Sequence, residues 1–122
     1  MAKRTDFSLF LGEDRRLSFH ILSASGDTAE DITGWSNSFM VKRGLEDLDG
    51  DALITNTSGV VSGVFNSDPD VNAQRFVVTI ADTDTDTLDP GPAYWELKRT
   101  TAGYETTLAY GTLTFKRGVH RG

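Results

Sequence analysis

Three aspartates, Asp82, Asp84 and Asp86, stand at alternate positions of the stretch DTDTDTLDPG, and gathered carboxylates are the side chains that bind calcium. In an extended strand, side chains two positions apart are separated by roughly 6–7 Å, which is too far for one ion to contact all three directly. Asp and Thr side chains also bind free backbone N–H groups in turns. The stretch therefore predicts a polar corner with one helical turn, in which Leu88 fills the core, and no metal site.

A second acidic stretch, DLDGD at residues 47–51, has a superficial likeness to a calcium-binding EF-hand loop. Its glycine stands at the wrong position, and the sequence lacks the flanking helices and the correctly placed glutamate of such a loop. Asp-Gly between two segments of strand-like pattern is a standard turn pair. This stretch therefore predicts a turn, again without a metal.

The sequence contains no recognisable set of catalytic residues. Its two histidines, His20 and His120, lie on a predicted strand and in the C-terminal tail, so they are not expected to meet. There is no cysteine, no serine in a nucleophile elbow and no glycine-rich phosphate loop. We therefore expect a protein without enzymatic activity and without a cofactor.

The charges are distributed unevenly along the 122 residues, although the formal net charge is only −6. Residues 27–89 hold thirteen acidic and three basic side chains, whereas the two ends together hold five acidic and nine basic ones. The split predicts a basic end that docks on an acidic partner, although it is also typical of chains that need only solubility. The acidic overall balance does not indicate a nucleic-acid partner. The basic side chains expected to dock are Arg15, Arg16, Lys116 and Arg117.

The apolar segments are too short for a membrane protein. A membrane-spanning helix needs about 20 apolar residues, and the longest uninterrupted apolar runs here are only a few residues long. The start MAKRTDF lacks the apolar segment of a secretory signal. We therefore expect synthesis in the cytoplasm and no membrane partner.

The aromatic residues include candidates for the core and for an interface. Trp95 alternates in phase with Leu97, so it is predicted to lie in the core. Trp35 follows a glycine at the entry to a strand and is expected to be partly exposed. Aromatic side chains with a polar tip are favoured at protein interfaces. Trp35 and Tyr104 are therefore the aromatic anchors expected for a partner, and Tyr94 is a further surface candidate.

The segments that hold these residues alternate between apolar and polar side chains at a period of two, which is typical of β-strands. Polar turns separate seven or eight such segments, and this predicts an all-β fold, an antiparallel β-sandwich. The alternation breaks in the last strand at Gly111, where a β-bulge is expected. We expect a single domain over residues 1–122, with short flexible tails at about residues 1–5 and 117–122.

Three motifs in this order resemble small virion domains of bacteriophages: DITGW at residues 31–35, DTDTLDPGPAY at residues 84–94 and YGTLTF at residues 110–115. The pattern is similar to the immunoglobulin-like N-terminal domain of phage baseplate upper proteins and to related stand-alone head or tail accessory proteins. It covers about the last ninety residues. The resemblance implies an immunoglobulin-like sandwich in which residues 31–35 enter a strand. It also implies a corner before the next core strand, formed by Leu88, Pro90, Gly91 and Tyr94.

The resemblance further implies a non-enzymatic structural protein of the phage virion. Such a protein would dock on the assembled particle as a capsid decoration or as a tail or baseplate accessory component. Its partners would be phage capsid, tail or baseplate proteins, and copies could form a homo-oligomer through the symmetry of the particle. Its final location would be the virion. The alternative, a calcium-dependent or carbohydrate-binding β-sandwich module, stays open.

Overall fold

The computed structural model describes residues 3–118, which form nine β-strands and two single-turn 3-10 helices. The 3-10 helices lie at Asp49–Asp51 and Asp82–Asp84. Within the described range, no helix is long and apolar enough to cross a membrane. The strands are β1 (Lys3–Arg4), β2 (Phe7–Phe10), β3 (Arg15–Phe19), β4 (Asn37–Lys42), β5 (Ile54–Asn56), β6 (Val60–Ser62), β7 (Arg75–Ile80), β8 (Gly91–Arg99) and β9 (Thr106–Lys116).

The strands form two sheets that share one apolar core. The larger sheet has the order β1-β9-β8-β4-β5, with β2 also paired to β9, and the smaller sheet has the order β3-β7-β6. The chain changes sheet after β2, β3, β5 and β7, which produces the Greek-key connections of an immunoglobulin domain. In such a domain, strands B, E and D pack on strands C, F and G, and β3–β9 follow that arrangement. The predicted all-β, immunoglobulin-like sandwich is confirmed.

The N-terminal strands depart from the predicted antiparallel arrangement, because β1 and β2 both run parallel to β9. The two residues between β1 and β2, Thr5 and Asp6, are hydrogen-bonded to β9. Thr5 N–H donates to the Tyr110 carbonyl at 2.9 Å, and Thr112 N–H donates to the Asp6 carboxylate at 2.9 Å. Hydrogen bonding to Thr112, together with the nearby Arg4 charge, holds the pKa of Asp6 below its ordinary value. The carboxylate therefore stays charged and keeps this edge in place.

A flexible tail is predicted over residues 1–5, and this prediction is wrong for Lys3–Arg4, which pairs with Ala109 and Tyr110. A pairing of two residues is too short to show a periodic pattern, so the sequence does not reveal it. At the other end, Arg117 and Gly118 follow β9 without regular structure. The rest of the predicted C-terminal tail, residues 119–122, lies outside the described residues.

The predicted bulge at Gly111 is wrong in position. The register between β8 and β9 shifts between Leu97 and Lys98, which makes Leu108 the extra residue of β9. Beyond this bulge, the buried positions of β9 are 109, 111, 113 and 115. Gly111 therefore occupies a core position, and the Thr5 carbonyl lies where its side chain would be. A glycine in the core has no apolar side chain, so the alternation of apolar and polar residues is interrupted at this position.

An aromatic cluster joins the two sheets in the middle of the core. The Trp95 ring on β8 lies 5.5 Å from Phe7, 5.6 Å from Phe19 and 5.8 Å from Phe39, measured between ring centroids. Trp95 is 3% exposed, as its alternation with Leu97 predicts. In antibody domains a disulfide connects the strands equivalent to β3 and β8. Here the chain has no cysteine, and the contact between Phe19 and Trp95 connects those strands instead.

The DITGW motif forms a loop, and hydrogen bonds from the buried side chain of Gln74 hold it in place. Gln74 is 3% exposed, and its Oε1 accepts the Ile32 N–H at 3.0 Å while its Nε2 donates to Thr33 Oγ1 at 3.0 Å. Asp31 accepts the Thr33 hydroxyl at 2.6 Å, and this bond is the main cause that lowers the pKa of Asp31. These bonds fix the direction in which Trp35 leaves the loop.

The proline-glycine motif is a corner that Arg43 holds in a similar way. The Arg43 guanidinium donates to the Asp89 carbonyl and to the Pro92 carbonyl, on either side of the turn. The guanidinium also lies 5.3 Å from the ring centroid of Phe115. Gly91 has φ of +134°, a conformation that favours glycine, and β8 begins at this residue. The corner thereby sets the start of the strand that carries Tyr94 and Trp95.

Candidate binding surfaces

The Asp82–Asp86 stretch forms the predicted polar corner, and its first residues form the predicted helical turn. Ala81 N–H donates to the Asp84 carboxylate at 2.8 Å, and Asp82 N–H donates to the Asp14 carboxylate at 2.8 Å. These carboxylates therefore bind backbone N–H groups of the corner. Among residues 3–118, no three His, Cys, Asp or Glu side chains are grouped so that they could hold a metal ion.

Two side chains of the corner face inward. Thr85 is 1% exposed, and its Oγ1 accepts the Gly12 N–H at 2.8 Å. Leu88 packs against the core, as predicted. The corner thus connects β7 to β8 and also holds the turn between β2 and β3.

The DLDGD stretch is a turn, as predicted. Lys42 Nζ donates to the Asp47 carbonyl at 2.9 Å and forms an ion pair with the Asp49 carboxylate at 2.6 Å. The Asp47 carboxylate accepts the Gly44 N–H at 2.9 Å. The hydrogen bond from Lys42 and its charge lower the pKa of Asp49. Donors of the protein itself therefore contact these carboxylates.

The four basic residues expected to dock are exposed and lie at one end of the sandwich. Arg15 and Arg16 begin β3. Lys116 ends β9 and Arg117 follows it, beside the turn after β2, where Leu11 N–H donates to the Lys116 carbonyl at 2.8 Å. The Asp82–Asp86 corner follows β7 at the same end, together with Glu13 and Asp14. Five acidic side chains thus accompany the four basic ones, so this end is mixed in charge rather than basic. The four are Arg15, Arg16, Lys116 and Arg117.

The two predicted aromatic anchors meet at the opposite end, around Arg99. The guanidinium carbon of Arg99 lies 3.8 Å from the ring centroid of Trp35 and 4.8 Å from that of Tyr104. Trp35 is half-buried, as expected, and Tyr104 is 65% exposed. The length of β8, from Gly91 to Arg99, separates this end from the mixed-charge end by about 26 Å. The structure therefore divides the six predicted partner-binding residues into two distant groups.

The outer face of the larger sheet forms a groove of about 500 Å³, called the outer groove below. Its central side chains are Met40 on β4, Tyr94 and Glu96 on β8, and Tyr110 on β9. Glu96 pairs with Met40 on one side and with Tyr110 on the other, so these residues lie directly beside one another. Tyr94 is 38% exposed and Tyr110 41% exposed. The groove thus presents two aromatic rings and a flexible apolar side chain to solvent.

Charged side chains of both signs surround these rings. Glu96 accepts the Thr107 hydroxyl at 2.9 Å, and Lys42 is held by its ion pair with Asp49. Leu45 is 74% exposed and adds an apolar residue at the margin. A central aromatic area with a polar margin is the usual composition of a protein interface. The charged residues that line the groove are Arg4, Lys42, Asp49, Glu96 and Lys98.

The His20 side chain contacts the loop between β6 and β7. Its Nε2 lies 3.0 Å from the Nδ2 of Asn72, which is 5% exposed. Burial, with the positive charges of Arg75 and Lys3, lowers the pKa of His20. The neutral ring can accept a hydrogen bond from the Asn72 amide, whereas a protonated ring cannot. His120, the second histidine, lies outside the described residues.

Sequence reasoning missed two residues of these surfaces. A break in alternation at Gly111 predicts that Tyr110 shares a face with Leu108, so it does not identify Tyr110 as a residue of the groove. Its phase opposite to the buried residues Leu113 and Phe115 is the signal that identifies it as an outward residue. Arg99 continues the inward positions of β8, where a charged side chain is not expected. No local pattern shows that two aromatic rings cover it.

No protein-family model and no curated protein matches this chain. Among solved structures, that of the NK cell receptor Nkp44, a triggering partner in natural cytotoxicity, is similar to this chain. The TM-score is 0.42 and the sequence identity is 15%, over 95% of this chain and 99% of that chain. The immunoglobulin-like fold of this chain is established by its own strand order and pairing.

Proposed function

We propose that this chain is a non-enzymatic docking domain that binds a protein partner through the outer groove. The proposed partner is a subunit of an assembled phage particle, in the capsid or in the tail and baseplate. The choice of a phage particle is supported by the three sequence motifs that resemble phage virion domains. The domain would then work as a capsid decoration or as a tail or baseplate accessory component, located in the virion.

The observation that carries the docking proposal is the pair of tyrosines in the middle of the larger sheet. An antiparallel sheet with one face in water usually places polar side chains on that face. Here Tyr94 and Tyr110 project from neighbouring strands, with Met40 beside them across Glu96. Tyrosine is among the residues that contribute most to binding energy at protein interfaces, where the ring is buried and the hydroxyl finds a partner.

The charges at the margin support a protein partner rather than a nucleic acid. Basic Arg4, Lys42 and Lys98 and acidic Asp49 lie at this margin, and acidic Glu96 lies at the centre of the groove. A nucleic-acid surface would need a continuous basic area. A protein surface with its own charges of both signs can match this margin, and such matching determines orientation more than affinity.

Binding to the particle can be tested by co-sedimentation with the assembled heads and tails of the phage that encodes the chain. We expect saturable binding to one of these assemblies. The double variant Tyr94→Ser/Tyr110→Ser should weaken it at least about tenfold, because it removes two central side chains of the interface. Val64→Ser is the matched control, since Val64 is 81% exposed but lies in the loop after β6, outside the groove.

Two results would contradict the proposal. The first is the absence of saturable binding to every head and tail assembly, and the second is unchanged binding of the double variant. The docking role of Arg15, Arg16, Lys116 and Arg117 stays a prediction. Because these side chains are exposed, their contribution should decrease as the salt concentration rises.

A further inference from the structure

The charge of Arg99 has no protein partner among residues 3–118. No carboxylate lies within ion-pairing distance of its guanidinium in this range. Its Nε atom is buried and has no hydrogen-bond partner in the described part of the chain. A buried N–H donor without an acceptor is rare in proteins. Because this atom is closed to solvent, a ligand in the pocket has to bind the terminal Nη groups of the guanidinium.

The neighbours of Arg99 determine which part of the guanidinium is open to a ligand. The guanidinium carbon lies over the Trp35 ring at 3.8 Å from its centroid and over the Tyr104 ring at 4.8 Å, so the two rings cover part of the guanidinium. Within residues 3–118, the two terminal Nη groups of Arg99 donate no hydrogen bond and, unlike Nε, are not buried without a partner, so their N–H donors remain free to bind. Two parallel donors on one edge match the two oxygens of a carboxylate, which is the strongest and most directional pairing of arginine.

Arg99 lines a pocket of about 520 Å³ between the loop after β3 and the start of β9. Pockets of roughly 300–1,000 Å³ hold small molecules. The Arg99 side of this pocket includes Trp35 and the hydroxyl of Thr106, and the loop side includes the hydroxyls of Ser23 and Ser25. The two serine hydroxyls accept the N–H groups of Thr28 and Asp27 and lie 3.3 Å from each other. Each can donate only one hydrogen bond, and an O–H donor that is not used within the loop suits a ligand with hydroxyl groups.

The remaining charges in the pocket favour a ligand with a single negative charge. Lys3 and Glu30 also line the pocket, so its formal charge with Arg99 is +1 when His20 is neutral. The Glu30 carboxylate would repel a phosphate dianion more strongly than a carboxylate. This distinguishes the pocket from a phosphate site, which usually combines several basic groups.

We propose that this pocket binds a small sugar acid, with the ligand carboxylate on the edge of Arg99 and the ligand hydroxyls on Ser23, Ser25 and Thr106. The site is separate from the outer groove. It does not depend on docking to a phage particle, and each of the two proposals can fail while the other stands.

The site can be tested by NMR titration of the purified chain, following the Arg99 Nε–H and the Trp35 indole N–H resonances. The probes are sodium glucuronate, sodium acetate, inorganic phosphate and glucose, at constant ionic strength. We expect glucuronate to shift both resonances in a saturable way with a Kd of about 1 mM or lower. Acetate, phosphate and glucose should each bind at least about tenfold more weakly.

Two variants and one control test the assigned contacts. Arg99→Lys keeps the positive charge but loses the paired donors, so the affinity for glucuronate, followed at Trp35, should decrease at least about tenfold. Glu30→Gln removes the like charge and should increase the affinity severalfold. Lys98→Met is the matched control, because it removes a positive charge one residue away, on the opposite face of β8.

Several results would overturn the proposal. They are the absence of any glucuronate-dependent shift up to about 50 mM, binding of glucose or phosphate as tight as that of glucuronate, and unchanged affinity in Arg99→Lys. An equal loss of affinity in Lys98→Met would also overturn it, because it would assign the binding to the general charge of the sheet. Acetate binding as tight as glucuronate binding would remove the assigned role of the hydroxyls.

Discussion

At the scale of single residues, Gly111 is a position of β9 that the N-terminal segment approaches closely. A Cβ atom at Gly111 would lie 1.8 Å from the Thr5 carbonyl oxygen and 2.9 Å from Trp95 Nε1. The Trp95 indole donates a hydrogen bond to that same carbonyl at 2.9 Å. Because Gly111 has no side chain, the Thr5 carbonyl can lie beside β9 and accept the hydrogen bond of the buried Trp95 indole N–H.

We predict that Gly111→Ala destabilises the domain by about 1–3 kcal/mol, the usual cost of placing extra atoms in a packed core. The free energy of unfolding in urea measures this effect. The matched control is Gly50→Ala, because Gly50 lacks a positive φ and an added Cβ would meet nothing within 4 Å. It should change the free energy by less than about 0.5 kcal/mol. Equal stability of Gly111→Ala and the parent chain would contradict the close approach of Thr5.

At the scale of elements, hydrogen bonds to carboxylates hold the connection between β7 and β8 in place. The competing interpretation of these aspartates is a metal site. Asp84 accepts the N–H of Ala81, and Asp14 from the β2–β3 turn accepts the N–H of Asp82. Buried Thr85 connects the same corner to Gly12. The corner therefore holds two connections of the sandwich together, one in each half of the chain.

We predict that Asp84→Ala costs about 0.5–1.5 kcal/mol, because the Ala81 N–H loses its protein acceptor. Millimolar calcium should change the melting temperature of neither the parent chain nor this variant. Asp86→Ala is the matched control, since the Asp86 carboxylate makes no hydrogen bond within residues 3–118 and is exposed. A calcium-dependent rise in melting temperature that disappears in Asp84→Ala would instead support the calcium-dependent binding module.

The elements also show which predictions from pattern succeed. Trp95 lies in the core as its alternation with Leu97 indicates, since period two places both side chains on the buried face of a regular strand. The same alternation does not predict the positions of Leu108 and Gly111. The bulge at Leu108 shifts the alternation of β9 by one residue, and glycine has no side chain to indicate a buried or an exposed face. The strand Lys3–Arg4 is not predicted either, since its pairing depends on the distant residues of β9.

At the scale of the whole molecule, the titrating groups predict a stability that decreases in two steps as the pH falls. Burial, with the charges of Arg75 and Lys3, lowers the pKa of His20, so the folded state resists protonation of this ring. Stability should therefore be full above the ordinary histidine pKa of 6.5 and decrease as the pH falls from there toward the lower folded value. Hydrogen bonds lower the pKa values of Asp6, Asp31 and Asp49.

The stability that these carboxylates contribute is present above their ordinary pKa of 3.8 and is lost as the pH falls through their lower folded values. Urea unfolding at a series of pH values measures both steps. His20→Gln should remove the upper step, because glutamine does not titrate, and should leave the lower one. Persistence of the upper step in this variant would show that another group causes it.

The candidate surfaces were only partly predictable from the sequence. Trp35, expected to be partly exposed, and Tyr104 are the aromatic anchors predicted for a partner, and the structure brings them together around Arg99. The basic residues Arg15 and Lys116 were expected to form a basic end, yet the polar corner lies at the same end. Linear charge counts do not register that residues far apart in sequence share one end of a sandwich.

The sequence by itself determined the all-β sandwich, the core residues of its regular strands and the turn character of both aspartate stretches. These properties follow from local periodicity and from hydrogen bonds between near neighbours, which depend on residue type and spacing. Only the tertiary structure decided the parallel edge at β9, the outer groove and the pocket beside Arg99. Each of these arises where strands distant in sequence meet, and the chain order contains no record of which faces those strands share.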